Sequence, residues 1–265
     1  MLKFIIHGIA IAFLTVLTQV GGIVYLIVLA LSNRYQLNLL KSSGLFLGTY
    51  MVVCLLILPF LAPMFGRVAL PVTGNLKPLN YITCLLNRHY VRTELREQLV
   101  GVSDRINKQF EGTKTNYLDA NFPFYDGFPL FPHLSHNDGR KVDIAFYYTN
   151  QETKAYSNSA PSFIGYGIYE GPAANETNYP KQCADKGYWQ YGFLNYLIPH
   201  WKADKFSVDV KRTGTLIRSL ATDQRTSKIF LEPHLKQRWK LGGYNKIRFH
   251  GCQAVRHDDH IHLQL

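Results

Sequence analysis

Two long stretches of the chain contain no Lys, Arg, Asp or Glu: one from Phe4 to Ser32, the other from Gly44 to Phe65. Each exceeds the roughly 18 to 20 apolar residues that a helix needs to cross a bilayer. Two transmembrane helices, about 4–32 and 44–65, are therefore expected, making residues 1–66 a membrane anchor. A pair of buried core helices is the alternative. A cleaved signal fits the first run less well than an uncleaved anchor, although Lys3 precedes it and Ala30 and Ser32 offer a small-residue site, because signal cores have only about 7 to 15 apolar residues.

Beyond residue 66 the pattern changes. The stretch "GRVALPVTGNLKPLNYITC" carries turn formers and little periodicity, which suits a segment along the membrane surface. Val91, Leu95, Leu99, Val102, Ile106 and Phe110 recur every three or four residues with charges between them, the mark of an amphipathic helix. Residues 67–110 thus read as a juxtamembrane segment and a helix. The following "FPFYDGFPLFP" is broken by prolines and must be irregular or an edge. "KVDIAFYY" alternates, so Val142, Ile144, Phe146 and Tyr148 share the core face and Asp143 is left facing a cleft. Residues Thr149 to Tyr188 read as a long polar loop. A helix around Thr213 to Ala221, a strand in "KIFLEP", a short helix around His234 to Trp239 and a terminal strand complete the chain. Residues 111–265 are expected to form an α+β domain, a small mainly antiparallel sheet with flanking helices.

The formal net charge is +11, which attracts polyanions. No Gly-rich phosphate loop, helix-turn-helix spacing or dense Lys/Arg block is present, so no nucleic acid partner is expected; beside a membrane anchor, acidic surface polymers are the better candidate. Arg34 and Lys41 lie between the two runs, and Lys3, Arg67 and Lys77 flank them; this count mildly favours both termini in the cytoplasm. Cys183 and Cys252 could pair in an oxidising compartment or remain buried thiols.

The candidate chemistry lies in two remote stretches, "HLSHNDGRKVD" from His133 and "RHDDHIH" from Arg256. On an extended strand His260 and His262 look the same way, joined by Asp258, with His257 and Asp259 opposite. Asp138 and Gly139 are turn formers that could bring His136 beside the Asp143 strand. Together the stretches supply two imidazoles and a carboxylate as ligands and one further imidazole. Zinc suits that inventory: catalytic sites use three such ligands and keep a fourth position for water. Non-haem iron uses the same ligand types and is the minor alternative.

"SHNDGRKVD" resembles the S-H-x-x-G-x-x-x-D element, and "RHDDHIH" the H-x-x-H-x-H element, of the penicillin-insensitive murein endopeptidases, within the wider group of zinc peptidases that includes lysostaphin, the D-alanyl-D-alanine peptidases and the hedgehog signalling domain. "LIRSLATDQRTSKIFLEPHLKQRW" is similar to the helix, strand and helix that precede the last strand in that group, so the resemblance covers roughly Pro129 to Leu265. It implies zinc (Zn2+) ligands at His136, Asp143 and His262, a catalytic base at His260, and orienting or substrate-contacting roles for His133 and His257. Arg140 and Arg256 flank the motifs and could hold a substrate carboxylate. Lys141 stands where relatives often have a small or acidic residue, which bears on the substrate groove rather than the metal.

The function implied is a membrane-anchored zinc metallopeptidase that hydrolyses an amide bond in peptidoglycan stem peptides, next to D-alanine. Its catalytic domain, with a central zinc cleft, would lie outside the cytoplasmic membrane, in the periplasm; a large domain can translocate against a bias of two cations. The alternatives are a noncatalytic zinc-containing binding module at the cell surface and a cytoplasmic amidase.

Overall fold

A computed structural model describes residues 1–265. The chain forms two compact units whose segments interleave: Met1–Leu70 with Ile82–Thr93 and Ala120–Arg140, and Pro71–Tyr81 with Glu94–Asp119 and Lys141–Leu265.

In the first unit the apolar run 4–32 is not one helix. It is divided into α1 (Leu2–Thr18) and α2 (Gly21–Arg34). The break is encoded in "TQVGG": Gln19 takes a left-handed φ of 68°, and the Thr18 hydroxyl accepts a hydrogen bond from Gly21 N at 2.8 Å, replacing a helical backbone bond. A side chain at Gly22 would collide with Thr15 Oγ1 and the Ile11 carbonyl, so the two helices turn closely at that point. At 1.5 Å per residue α1 and α2 are about 25 and 21 Å long, short of the roughly 30 Å hydrocarbon core. The expectation of two transmembrane helices is corrected accordingly: one helix, α3 (Leu39–Phe65, 27 residues), is long and apolar enough to cross a membrane. Hydropathy counted charges and missed a turn made without any.

The Asn38 side chain caps α3 by accepting from Lys41 N at 3.0 Å. The helix passes through a π turn at Val53–Ile57 and ends in a 3-10 turn before left-handed Gly66. Val20, Val24 and Val28 pack with Tyr50, Cys54, Leu58, Ala62 and Tyr90 to form this unit's core. Arg67 follows, 1% exposed. Its guanidinium donates to the Phe122 carbonyl and pairs with Asp126 at 2.5 Å, while Arg92 reaches the same carboxylate at 2.8 Å. These two arginines fix the irregular, proline-broken segment that leads to His133 and His136.

The second unit is built on a mixed six-stranded sheet, consistent with the α+β class read from the sequence. Its strands are β1 (Leu76–Pro78), β2 (Thr115–Tyr117), β3 (Lys141–Ala145), β4 (Lys228–Phe230), β5 (Ile247–Arg248) and β6 (His260–Gln264). Their order is β5-β4-β6-β3-β2-β1. The strands bearing the two motifs, β3 and β6, are thus central neighbours, and they pair antiparallel, as β6 does with β4 and β3 with β2. The outer pairs β4–β5 and β1–β2 are parallel. Strand β3 is covered on both faces, with Val142 through Ala145 buried.

Helix α4 (Thr93–Gln109) buries Leu95, Leu99, Val102 and Ile106, as the periodicity required. Its Gln98 donates to Thr226 Oγ1 at 2.6 Å. The region read as a long loop contributes two strands, Tyr148–Asn150 and Tyr156–Ser157, to a three-stranded antiparallel sheet completed by Phe206–Val208, and also holds α5 (Tyr179–Asp185). A disulfide joins Cys183 of α5 to Cys252 across a sequence separation of 69. Helix α6 (Val210–Thr222) is capped by Asp209, which accepts from Arg212 N at 2.9 Å. It buries Leu216, Ile217 and Leu220. The short α7 (Pro233–Arg238) opens on a proline at its first position, where no backbone donor is missed.

Candidate metal centre

His133 and His136 lie on the segment held by Arg67 and Arg92. His136 N donates to the His133 carbonyl at 2.9 Å, a tight turn that brings the ring centroids to 5.5 Å. Gly139 then takes a φ of 78°, hydrogen-bonded to Asn121 Oδ1 through its N–H and to Arg92 N through its carbonyl. The His136 Nδ1 is 2.8 Å from the carbonyl of Ala120. A carbonyl only accepts, so Nδ1 carries the proton and Nε2 carries the lone pair. That is the tautomer and the carbonyl support typical of an imidazole that ligates a metal.

Asp143 and His262 are register partners on β3 and β6. Asp143 N donates to Asp119 O at 2.8 Å and its carbonyl accepts from Leu118 N at 2.8 Å. Its backbone groups thus point away from β6, which makes Asp143 and His262 a non-hydrogen-bonded cross-strand pair, where side chains approach closest. His262 Nδ1 lies 2.8 Å from Asp143 Oδ1, and His260 Nε2 lies 3.7 Å from the same oxygen. His260 and His262 therefore address one carboxylate from one face. The Tyr166 hydroxyl donates to Asp143 Oδ2 at 2.8 Å and accepts from Asp119 N at 3.1 Å. Its ring meets His260 edge-on at 4.9 Å.

His133, His136 and Asp143 each offer a ligand atom, all within 4.8 Å of one another and all buried, so this group could hold a metal ion. The donor set fits one: two imidazoles, a carboxylate, and His136 presenting Nε2. His262 Nδ1 donates to Asp143 Oδ1 at 2.8 Å, an ordinary hydrogen bond. His133, read as an orienting or substrate-contacting residue, is a member of the compact group. His262 meets that group through Asp143.

His257 was expected to face away from His260 and His262. Its ring instead lies 5.0 Å from His260 and 5.6 Å from His262, because β6 begins only at His260 and strand alternation does not extend back to His257. For the same reason Asp258 does not sit with the histidines on the shared face. Its carboxylate takes the Arg256 guanidinium, with Nε at 2.9 Å, and His234 Nε2 at 3.5 Å. Arg256 also lies 4.0 Å over the ring of Tyr169, so its charge is already engaged. Arg140 is exposed.

Burial and the neighbouring charges fix the electrostatics of the histidines. Burial alone would lower the pKa of His260, but the carboxylates of Asp143 and Asp259 outweigh it and raise it to about 8. Burial, then the neighbouring His260 and His262, holds His257 well below the ordinary value and hence neutral. Behind it Glu232 clamps the chain: its N–H donates to His257 O at 3.1 Å and its Oε1 accepts from His257 N at 3.3 Å. Burial, then the Asp258 charge, raises Glu232 to about 7.

The sequence reading missed Tyr166, Asp259 and Glu232. Asp259 hydrogen-bonds His260 Nδ1, and its other oxygen accepts from Gly167 N at 2.6 Å. Its place inside "RHDDHIH" was a signal, lost by extending strand geometry too far. Tyr166 had none, standing in a polar stretch without periodicity.

The fold and these residues define an α+β protein with a buried His/His/Asp group able to hold a metal ion. No protein-family model matches the chain, and no curated protein matches it. The likeness to zinc peptidases therefore stands on the two motifs themselves.

Proposed function

We propose that this protein is a membrane-anchored zinc hydrolase that cleaves an amide bond in peptidoglycan stem peptides, next to D-alanine, with its catalytic residues outside the cytoplasmic membrane. The observation that carries the reading is the convergence of both motifs on Asp143, which joins His133 and His136 in one group and meets His262 across the sheet. His136 through Nε2, Asp143 and His262 would hold the metal. Bound there, zinc would act as a Lewis acid and lower the pKa of a water toward neutrality.

The remaining chemistry falls to the chain. His260, with Nδ1 held by Asp259, directs Nε2 toward Asp143. It takes a proton from the attacking water and returns it to the leaving amine as the C–N bond breaks. Asp143 is the first of the carboxylates that raise His260, so sharing its charge with a divalent cation returns the imidazole toward the neutral form a base requires. Tyr166 holds Asp143 in place. Beside Arg256 a cavity of about 530 Å³, lined by Tyr169, Tyr188, Trp189 and Tyr191 among others, has room for the flanking part of a substrate. The Cys183–Cys252 disulfide supports an oxidising compartment, and the net charge of +11 suits an anionic wall.

The test uses the full chain in detergent, with zinc content measured beside release of products from crosslinked muropeptides. Wild type is expected to hold near one zinc and to cleave. Asp143→Ala and His136→Ala lose metal and activity, whereas His260→Ala keeps the metal and loses turnover. A wild type that binds no zinc and leaves muropeptides intact would refute the reading.

The position of His133 favours a second reading. Four donors, His133, His136, Asp143 and His262, would close the coordination shell as in a structural site, and the protein would be a noncatalytic zinc-containing module. Zinc bound without any muropeptide cleavage, and weakened by His133→Ala, would select it.

A further inference from the structure

The α1–α2 hairpin is too short to span a bilayer and too apolar to lie in water. Phe4, Ile9, Phe13, Ile23, Leu26 and Ile27 are all exposed, whereas the tip, Thr18 to Gly22, is buried. Protein groups engage the tip, two through its backbone and one through the Gln19 side chain. Asn87 Nδ2 donates to Thr18 O at 3.2 Å, Phe124 N donates to Gln19 Oε1 at 3.0 Å, and Gly21 N donates to the Thr18 hydroxyl. Partway along the hairpin His7 and Tyr25 satisfy each other at 2.8 Å. Irregular backbone at membrane depth is tolerated only where protein seals it in this way.

The depth of the tip follows from α3. Asn87 Nδ2 also donates to the Tyr50 hydroxyl at 3.3 Å, so the tip is level with Tyr50, about 16 Å along α3 from Leu39 at 1.5 Å per residue. That is near the middle of a hydrocarbon core of about 30 Å. The Tyr25 and Phe46 rings meet at 6.1 Å, so α2 runs back along α3 toward Leu39. The open end of the hairpin consequently brings Lys3 and Arg34 to the end of α3 that carries Lys41. Three cations at one end of three apolar helices mark the cytoplasmic surface.

We propose that residues 2–34 form a re-entrant hairpin in the lipid bilayer, entering from the cytoplasmic face and turning back at Gln19 near mid-membrane. Lys3, Arg34 and Lys41 sit together at the cytoplasmic headgroups, and α3 alone crosses; beyond Phe65 the chain emerges on the far side, with the segments that carry Asn87 and Phe124 reaching back along α3 to seal the tip. The cation count that favoured both termini inside assumed that residues 4–32 cross once. With the hairpin, the same cations favour an external carboxy-terminal part.

The experiment is cysteine accessibility in the full chain carrying Cys84→Ser, using a membrane-impermeant maleimide on spheroplasts before and after permeabilisation. Lys3→Cys, Tyr35→Cys and Glu152→Cys all replace exposed residues. Lys3→Cys and Tyr35→Cys are expected to react only after permeabilisation, and Glu152→Cys to react in intact spheroplasts. Lys3→Cys and Tyr35→Cys reacting on opposite sides would overturn the hairpin while leaving the hydrolase reading standing, provided Glu152→Cys stays outside. Glu152→Cys protected, with the other two labelled from outside, would overturn both the orientation and the external substrate.

Discussion

Glu232 is 1% exposed and clamps His257 through its backbone and side chain. Burial, then Asp258, raises its pKa from 4.5 to about 7. Between those values the folded chain binds more protons at this site than the unfolded chain, so stability falls as pH rises through the interval and levels off above it. At about 1.4 kcal/mol per pKa unit, ionising Glu232 costs the folded state about 3 kcal/mol by pH 8. Glu232→Gln keeps an acceptor for His257 N and cannot ionise. The variant should therefore match wild type near pH 4.5 and exceed it at pH 8 by about 3 kcal/mol, a rise of about 6 to 12 °C in Tm for a domain of this size. Thermal unfolding of the full chain in detergent at both pH values reads the difference. Equal melting temperatures at pH 8, or a variant less stable there, would refute a buried, proton-binding Glu232.

Tyr166→Phe removes the donor to Asp143 Oδ2 and should weaken zinc binding by about tenfold or more in equilibrium dialysis; an unchanged affinity would mean that Tyr166 does not align the carboxylate. Replacing Cys183 and Cys252 together by Ala opens a loop of 69 residues, for which chain entropy gives about 4 kcal/mol as an upper estimate. The urea midpoint should fall, and a wild-type midpoint would show that the bond contributes nothing. Asp126→Asn leaves the buried Arg67 guanidinium without this carboxylate and should cost about 2 kcal/mol, since Asp126 itself is half exposed. It should also lower metal occupancy by loosening the His133–His136 segment, although it alters no ligand; full occupancy would separate that clamp from the site.

Elements written as regular periodicity were legible in the sequence. The stripe from Leu95 to Ile106 is the buried face of α4, "KVDIA" is β3 and "HIHLQ" is β6. Their pairing in one sheet was not legible, since periodicity says that a strand exists and not which strand it joins. Features made by short-range stereochemistry were misread. A left-handed Gln19 and two glycines divided a run that hydropathy treats as continuous, and the start of β6 at His260 released His257 from the alternation that had turned it away.

The same distinction separates the two kinds of residue at the site. Groups with intrinsic chemistry, the histidines and Asp143, can be found in a string because their types are rare and their spacing is tight. Groups that act by holding them cannot: Ala120 offers a backbone carbonyl, Tyr166 a hydroxyl reached through a folded loop, and Arg67 a charge buried far from either motif. Each is an ordinary residue made specific by topology. Asp143 shows the limit of both views, since its place on an alternating strand marks it as unusual, yet only the outward bonds of its backbone to Leu118 and Asp119 bring its carboxylate close to His262. A one-residue slip of β3 against β6 would leave every motif intact in the sequence and move that carboxylate to the opposite face. The register of these two strands, more than any single ligand, is what the candidate chemistry requires.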